Sequence, residues 1–171
     1  MIVGNDFWEN SEYAQENYVG APPTNEYIDS IEEELGYKLP ASYIGMIRQQ
    51  NGGIPVKKAF PTKESTSWAE DHMAIKGIYG IDRDRPCSVC GELGTQAMID
   101  EWEYPPVGIA VCDTPEGGPS MVFLDYRECG KDGEPKVVLI EADLDNKIIL
   151  LADNFELFIR GLVDEDAFGG V

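Results

Sequence analysis

Thr24 to Gly53 reads T-N-E-Y-I-D-S-I-E-E-E-L-G-Y-K-L-P-A-S-Y-I-G-M-I-R-Q-Q-N-G-G. Tyr27, Ile31 and Leu35 recur at four-residue steps, while Asp29, Glu32, Glu33 and Glu34 fall mostly off that stripe, which is the pattern of a short amphipathic helix. Thr24 can cap its start, Glu26 complements the positive helix end, and Gly36 supplies a left-handed stop. Pro40 stands where a second helix would take its first residue, because proline lacks only an N–H that is unpaired there anyway. Tyr43, Ile44 and Ile47 give a second apolar stripe, and Asn51-Gly52-Gly53 ends it with residues that tolerate positive φ. Two capped helices meeting at Leu39-Pro40 are predicted.

Working outward, the residues before Pro22-Pro23 carry scattered aromatics (Phe7, Trp8, Tyr13, Tyr18) and read as an irregular or weakly helical arm packed back on the body. Beyond the second helix, Ile54 to Phe60 is a short extended segment bounded by Pro61. Thr62 to Asp71 is a polar loop with Trp68 as its one large apolar residue. Met73 to Ile81 is a strand weakened by Gly77, and Asp82 to Pro86 is a turn. Cys87 to Gly94 has no clear pattern. Thr95 can cap a helix in which Met98, Ile99 and Trp102 share a face, and Tyr104-Pro105-Pro106 ends it. Val107 to Cys112 suits a strand covered on both faces. It forms a hairpin with Met121 to Tyr126 through Thr114 to Gly118. A second hairpin joins Val137–Glu141 to Lys147–Leu151 through Asp143-Leu144-Asp145-Asn146. Asp153 with Glu156 reads as a capping box ahead of the stripe Phe155, Phe158, Ile159 and Leu162. Val163 to Val171 is an acidic, glycine-ending tail expected to be disordered. Helices cluster at the two ends with strands and tight turns between them. The expected class is therefore α+β: a single domain with a mostly antiparallel sheet and helices contributed by the N-terminal and C-terminal parts.

The order I-x-x-x-E, L-G, L-P, Y, then N-G-G resembles the signature of the SUKH superfamily (the Smi-one/Knr-four homology domain). Val107-Gly108-Ile109-Ala110 with Cys112-Asp113 is similar to its central strand and following turn. Phe123-Leu124-Asp125-Tyr126 resembles its apolar-apolar-Asp strand, and Asp153 to Ile159 its last helix. The resemblance spans roughly Phe7 to Leu162. It implies a SUKH-like domain over 24–162, flanked by the arm (1–23) and the acidic tail (163–171). For bacterial members it implies a non-enzymatic immunity protein that binds and neutralises a toxin domain, often a nuclease or deaminase. For relatives like the yeast cell-wall-synthesis regulators it implies an intracellular scaffold. Leu39, Pro40, Asn51, Gly52 and Gly53 identify the family as fold residues and locate no binding site.

At 171 residues one domain is the default, and the chain is long enough to fold without metal or disulfide. The charge balance is unusual: 13 Lys+Arg against 32 Asp+Glu give a net charge of -19. Acidity grows along the chain, from 8 basic and 14 acidic residues through Arg85 to 5 and 18 from Pro86 onward. This argues against nucleic acid or an anionic membrane as partner and fits a basic protein. Met1 to Asp6 has neither a positive region nor an apolar run, and no segment reaches the length of a membrane span, so a cytoplasmic location with reduced cysteines is expected.

Constellations for chemistry are weak. Cys87 and Cys90 form a C-x-x-C pair of the kind zinc uses, yet the remaining candidates, Cys112, Cys129 and His72, are single residues, so free thiols are the better reading. Asp143-Leu144-Asp145-Asn146 begins like a calcium loop but lacks the glycine and distal glutamate of an EF-hand, and reads as a solvated turn. His72 is the only histidine; no G-x-S-x-G elbow and no phosphate-binding loop occurs. A hydrolase working with carboxylates is the weakest of three readings, and no cofactor, metal or catalytic residue is expected. What remains is surface. The loops Asp113–Gly118 and Asp125–Glu134 carry Asp113, Glu116, Asp125, Glu128, Asp132 and Glu134 against Arg127 and Lys131. They lie at the ends of adjacent strands, and if the hairpin forms, part of this group can gather on one rim and face a basic protein. Trp68 reads as a lid on the core or as an interface anchor.

Overall fold

Five antiparallel strands in the order β3-β4-β5-β6-β7 form the main sheet of the computed structural model: β3 (Gly77–Ile78), β4 (Gly108–Asp113), β5 (Ser120–Asp125), β6 (Lys136–Glu141) and β7 (Lys147–Ala152). The structure describes residues 3, 4 and 6–168; the remaining positions of the leading segment and of the acidic tail (1, 2, 5 and 169–171) lie outside the described residues. A two-stranded sheet pairs β1 (Ala59–Pro61) with β2 (His72–Ala74). The expected strand from Met73 to Ile81 is therefore two strands in two sheets. The chain turns between them because Gly77 lies against the ring of Tyr18, where a Cβ would stand 2.2 Å from Cε2. All of β4 and β5 is buried, so both faces of the sheet centre are covered, as the unbroken apolar run of β4 predicts.

The helices α2 (Asn25–Leu35) and α3 (Ala41–Gln49) form where their patterns place them. Thr24 Oγ1 accepts the Tyr27 N–H at 3.1 Å, and Gly36 stops α2 at φ 83°. The buried stripe of α2 is centred on Ile28 and Ile31, with Tyr27 and Leu35 at its margins. In α3 it runs through Tyr43, Met46 and Ile47, with Ile44 only half-buried. Pro40 is the N-cap of α3 rather than its first residue; its extended ψ of 144° sets the entry, and its carbonyl accepts the Ile44 N–H.

Asn51-Gly52-Gly53 does more than end α3. The Asn51 side chain is buried, accepting the Ile81 N–H and donating to the Ala21 carbonyl, both at 2.8 Å. Gly52, at φ 90°, lies so close to Gly80 that a Cβ would fall 2.6 Å from its nitrogen. The turn thus clamps the leading arm and the strand connection to α3. In the arm, Ser11 caps α1 (Glu12–Asn17), Trp8 bridges to Pro55, and Tyr18 is fully buried.

Three further local readings differ from the sequence expectation. Gly94, not Thr95, caps α4 (Thr95–Trp102), because the Thr95 hydroxyl accepts the Ala110 N–H of β4 instead. Asn154 caps α5 (Phe155–Arg160) by accepting the Leu157 N–H at 2.9 Å, so the cap is a single side chain one residue later than the expected Asp153–Glu156 box. The stripe Phe155, Phe158, Ile159 and Leu162 is buried throughout and packs into the core, with Phe155 against Tyr43 and Phe158 against Phe60. Finally, the described part of the tail, residues 163–168, is held on the body. Val163 pairs with Ala59, Glu165–Phe168 form a 3-10 turn, and the Phe168 ring stacks on His72 at 4.0 Å.

Candidate functional site

The strand register decides which loops are neighbours. Gly108 faces Asp125 and Asp113 faces Met121, so the two predicted loops lie at opposite ends of the β4–β5 hairpin. Five steps of about 3.3 Å along the six-residue strand put those ends about 17 Å apart. Only part of the group therefore shares one rim: Asp125, Glu128, Asp132 and Glu134 lie at one end of the hairpin, and Asp113 and Glu116 at the other.

At the far end, the acidic residues are largely matched by cations. Asp125 is buried and receives Arg127 through Nε at 3.0 Å, Nη2 at 2.7 Å and the backbone N–H at 3.0 Å. Burial pushes its carboxyl upward, but the Arg127 bonds outweigh that and hold it below the usual aspartate value. Glu128 pairs with Lys136 at 2.6 Å, and Asp132 and Glu134 are exposed beside Lys131. Four carboxylates there meet three cations.

Asp113 is a core residue. Its Oδ2 accepts the Tyr18 hydroxyl at 2.7 Å and its Oδ1 accepts the Gly77 N–H at 3.0 Å. Burial raises its carboxyl to about 6, and the Tyr18 hydrogen bond and Lys76 only partly offset this. It is not available to a partner.

The near end has a different composition. Because β5 pairs with β6 and Ser120 faces Glu141, the β4–β5 turn adjoins the β6–β7 turn. Residues 62–71 reach the same end: Ser67 donates its N–H to Glu141 Oε1 at 2.8 Å and its hydroxyl to Glu116 Oε1 at 2.6 Å. The end of α4 joins through Asn146, which donates to the Glu103 carbonyl, and through Trp102, whose indole lies over Gly118. Trp68 Nε1 donates to Glu165 at 3.3 Å, bringing in the tail. Glu103, Glu116, Asp143, Asp145 and Glu165 therefore share this end with Lys147, and residues 62–71 bring Lys63 along with Glu64, Glu70 and Asp71. Among them stand three large apolar side chains left half-exposed: Trp68 at 42%, Trp102 at 39% and Leu144 at 48%. Aromatic anchors inside a polar, charged ring are the composition of a protein-binding surface. Of the sequence candidates, Glu116 and Trp68 belong to it; Glu103, Trp102, Asp143, Leu144 and Asp145 were missed.

The other candidate centres stay apart. His72 Nδ1 lies 2.8 Å from Asp71 and Nε2 4.0 Å from Glu165, so carboxylates occupy both ring edges and no serine or cysteine bonds to the ring among the described residues. Cys87, Cys90, Cys112 and Cys129 are free thiols; burial pushes Cys87 up to about 11, and Cys90 donates to the Ile81 carbonyl. No helix among the described residues is long and apolar enough to cross a membrane.

A family model described as SMI1-KNR4 cell-wall (SUKH_6) matches residues 25–159, from the first residue of α2 to the last turn of α5. The chain belongs to the SUKH family. No curated protein and no solved structure matches it. The SUKH match takes in the capped helices, the N-G-G clamp and the whole main sheet. It also includes Trp68, Trp102, Glu116 and the β6–β7 turn of the acidic end, but not Glu165 in the tail. SUKH domains include both immunity proteins and cell-wall regulators.

Proposed function

We propose that this SUKH protein is a non-enzymatic, cytoplasmic binding module that neutralises a basic toxin domain of the nuclease or deaminase type. The near end of the sheet is the contact surface. The observation that carries the reading is the grouping of half-exposed Trp68, Trp102 and Leu144 at the same end of the sheet as Glu103, Glu116, Asp143, Asp145 and Glu165. An enzyme that acts on nucleic acid presents a basic face to phosphate. A surface of opposite sign would steer the toxin in, and the half-exposed tryptophans would supply the short-range contact area.

The test uses the full chain and any toxin domain found encoded beside its gene. Calorimetry should give a one-to-one complex that weakens as salt rises, because charge attraction between exposed groups is screened within about 10 Å at 0.1 M salt. Toxin activity should fall in step with complex formation. Trp68→Ala combined with Trp102→Ala should weaken binding at least tenfold while the circular dichroism spectrum is kept. A toxin that stays active at saturating concentrations of this protein would overturn the proposal. The cell-wall description of the matching family supports a second reading, a regulator; affinity purification returning several housekeeping proteins and no single basic partner would favour it.

A further inference from the structure

We propose that Glu116 and Glu141 hold one hard divalent cation of the calcium class between the β4–β5 turn and the end of β6. Glu141 has no exposed surface. Its Oε1 takes the Ser67 N–H, while Oε2 is buried without a hydrogen-bond partner among the described residues. Ser120, directly across the sheet from Glu141, donates its hydroxyl to Glu116 Oε1 at 3.3 Å and lies 2.7 Å from Thr114 Oγ1. Ser67 ties the two carboxylates together, donating to one through its nitrogen and to the other through its oxygen.

Neither carboxylate forms an ion pair among the described residues. Lys147 stands opposite Glu141 in the sheet, yet its Nζ donates to the Ser65 carbonyl at 3.2 Å and forms no ion pair with Glu141. Carboxylates withdrawn from water are ordinarily paired or bound to metal. All the donors here are carboxylate or hydroxyl oxygens, which select a hard cation over zinc. No three acidic, cysteine or histidine residues cluster as a metal site among the described residues. Ser67, Thr114 and Ser120 would therefore supply the remaining oxygens. The cleft they line with Glu116 and Glu141 has no room for a water molecule. Calcium bonds oxygen at about 2.3–2.6 Å, inside the about 2.8 Å of a hydrogen-bonded water, and tolerates irregular geometry. Magnesium keeps several of its waters and suits such a cleft less well. Glu116 is only half-buried and offers the way in. This site stands independently of the toxin reading.

Calorimetry and thermal unfolding of the chelator-treated full chain, with calcium, magnesium and sodium chlorides at matched ionic strength, provide the test. One calcium ion per chain is expected to bind, with a saturable rise in Tm that magnesium does not match. Glu141→Gln and, at the more exposed position, Glu116→Gln should each weaken binding tenfold or more. Lys147→Met should leave the affinity unchanged or raise it. Should Glu141→Gln fail to fold, Glu116→Gln reads the same site. Absence of calcium heat in the wild type, equal unsaturable shifts with calcium and magnesium (screening of a strongly acidic chain), or wild-type affinity in the glutamine variants would each overturn the assignment.

Discussion

Replacing Asp113 with asparagine removes a titrating carboxyl that the fold has taken out of water. The side chain closes β4 with 8% exposure and is gripped by the Tyr18 hydroxyl and the Gly77 N–H, two donors that favour the charged form. Burial nevertheless wins, moving the carboxyl from 3.8 to about 6. The folded state therefore holds this proton more tightly than the unfolded chain does. Its contribution to stability is fully present below pH 3.8 and is lost as pH rises through about 6. At about 1.4 kcal/mol per pH unit, that interval corresponds to about 3 kcal/mol. Asparagine matches the shape, keeps an acceptor for one donor and does not titrate. Urea unfolding of wild type and Asp113→Asn, repeated between about pH 4 and about pH 7, isolates the effect, since the other carboxyls titrate alike in both chains. The stability of wild type minus variant should fall by about 2 kcal/mol across that range, the rest of the interval lying below pH 4. A difference that stays level, or that grows with pH, would refute the assignment of burial as the dominant force on Asp113.

The opposite sign is expected at Asp125, whose carboxyl is held low by Arg127. Arg127→Ala should cost about 1 kcal/mol at neutral pH, a modest value because the guanidinium is half-exposed, and urea unfolding should show the loss shrinking as pH falls through the carboxylate range. Asn154→Ala removes the α5 cap and should lower stability by about 1 kcal/mol in the same assay. Phe158→Ala, at a fully buried ring, should cost about 3–5 kcal/mol, whereas Leu157→Ala, half-exposed beside it, should stay within about 0.5 kcal/mol; similar losses at the two positions would contradict the observed face of α5.

Elements whose signals are local were legible in the sequence. Thr24 and Gly36 bound α2 because capping is decided within four residues, and the apolar run from Val107 to Cys112 marks a central strand because every side chain there is covered. Boundaries shifted where a tertiary contact claimed the capping atom. Thr95 could cap α4 on its own, but its hydroxyl is taken by β4. Gly77 looked like a weakness in one strand, and is the point where the Tyr18 ring, 59 positions earlier, separates two sheets. The tail carried no stripe to announce its order; it is held by contacts to Ala59, Trp68 and His72 that no local pattern encodes.

The misplaced rim has a different cause, and it bears on how a partner would be met. Both hairpins were readable, and in an antiparallel meander the first and third turns share one end while the middle loop goes to the other. Pairing Asp113–Gly118 with Asp125–Glu134 joined a turn to the middle loop. Its proper neighbour is Ala142–Asn146, whose carboxylates look like ordinary solvated charges until the β5–β6 register sets them beside Glu116. The consequence is electrostatic. The far end sets four carboxylates against three cations, whereas at the near end carboxylates clearly outnumber Lys63 and Lys147, so of the two ends of the sheet the more acidic is the one that also carries the exposed tryptophans. On the proposed reading, long-range attraction and short-range contact would then act at the same end of the sheet.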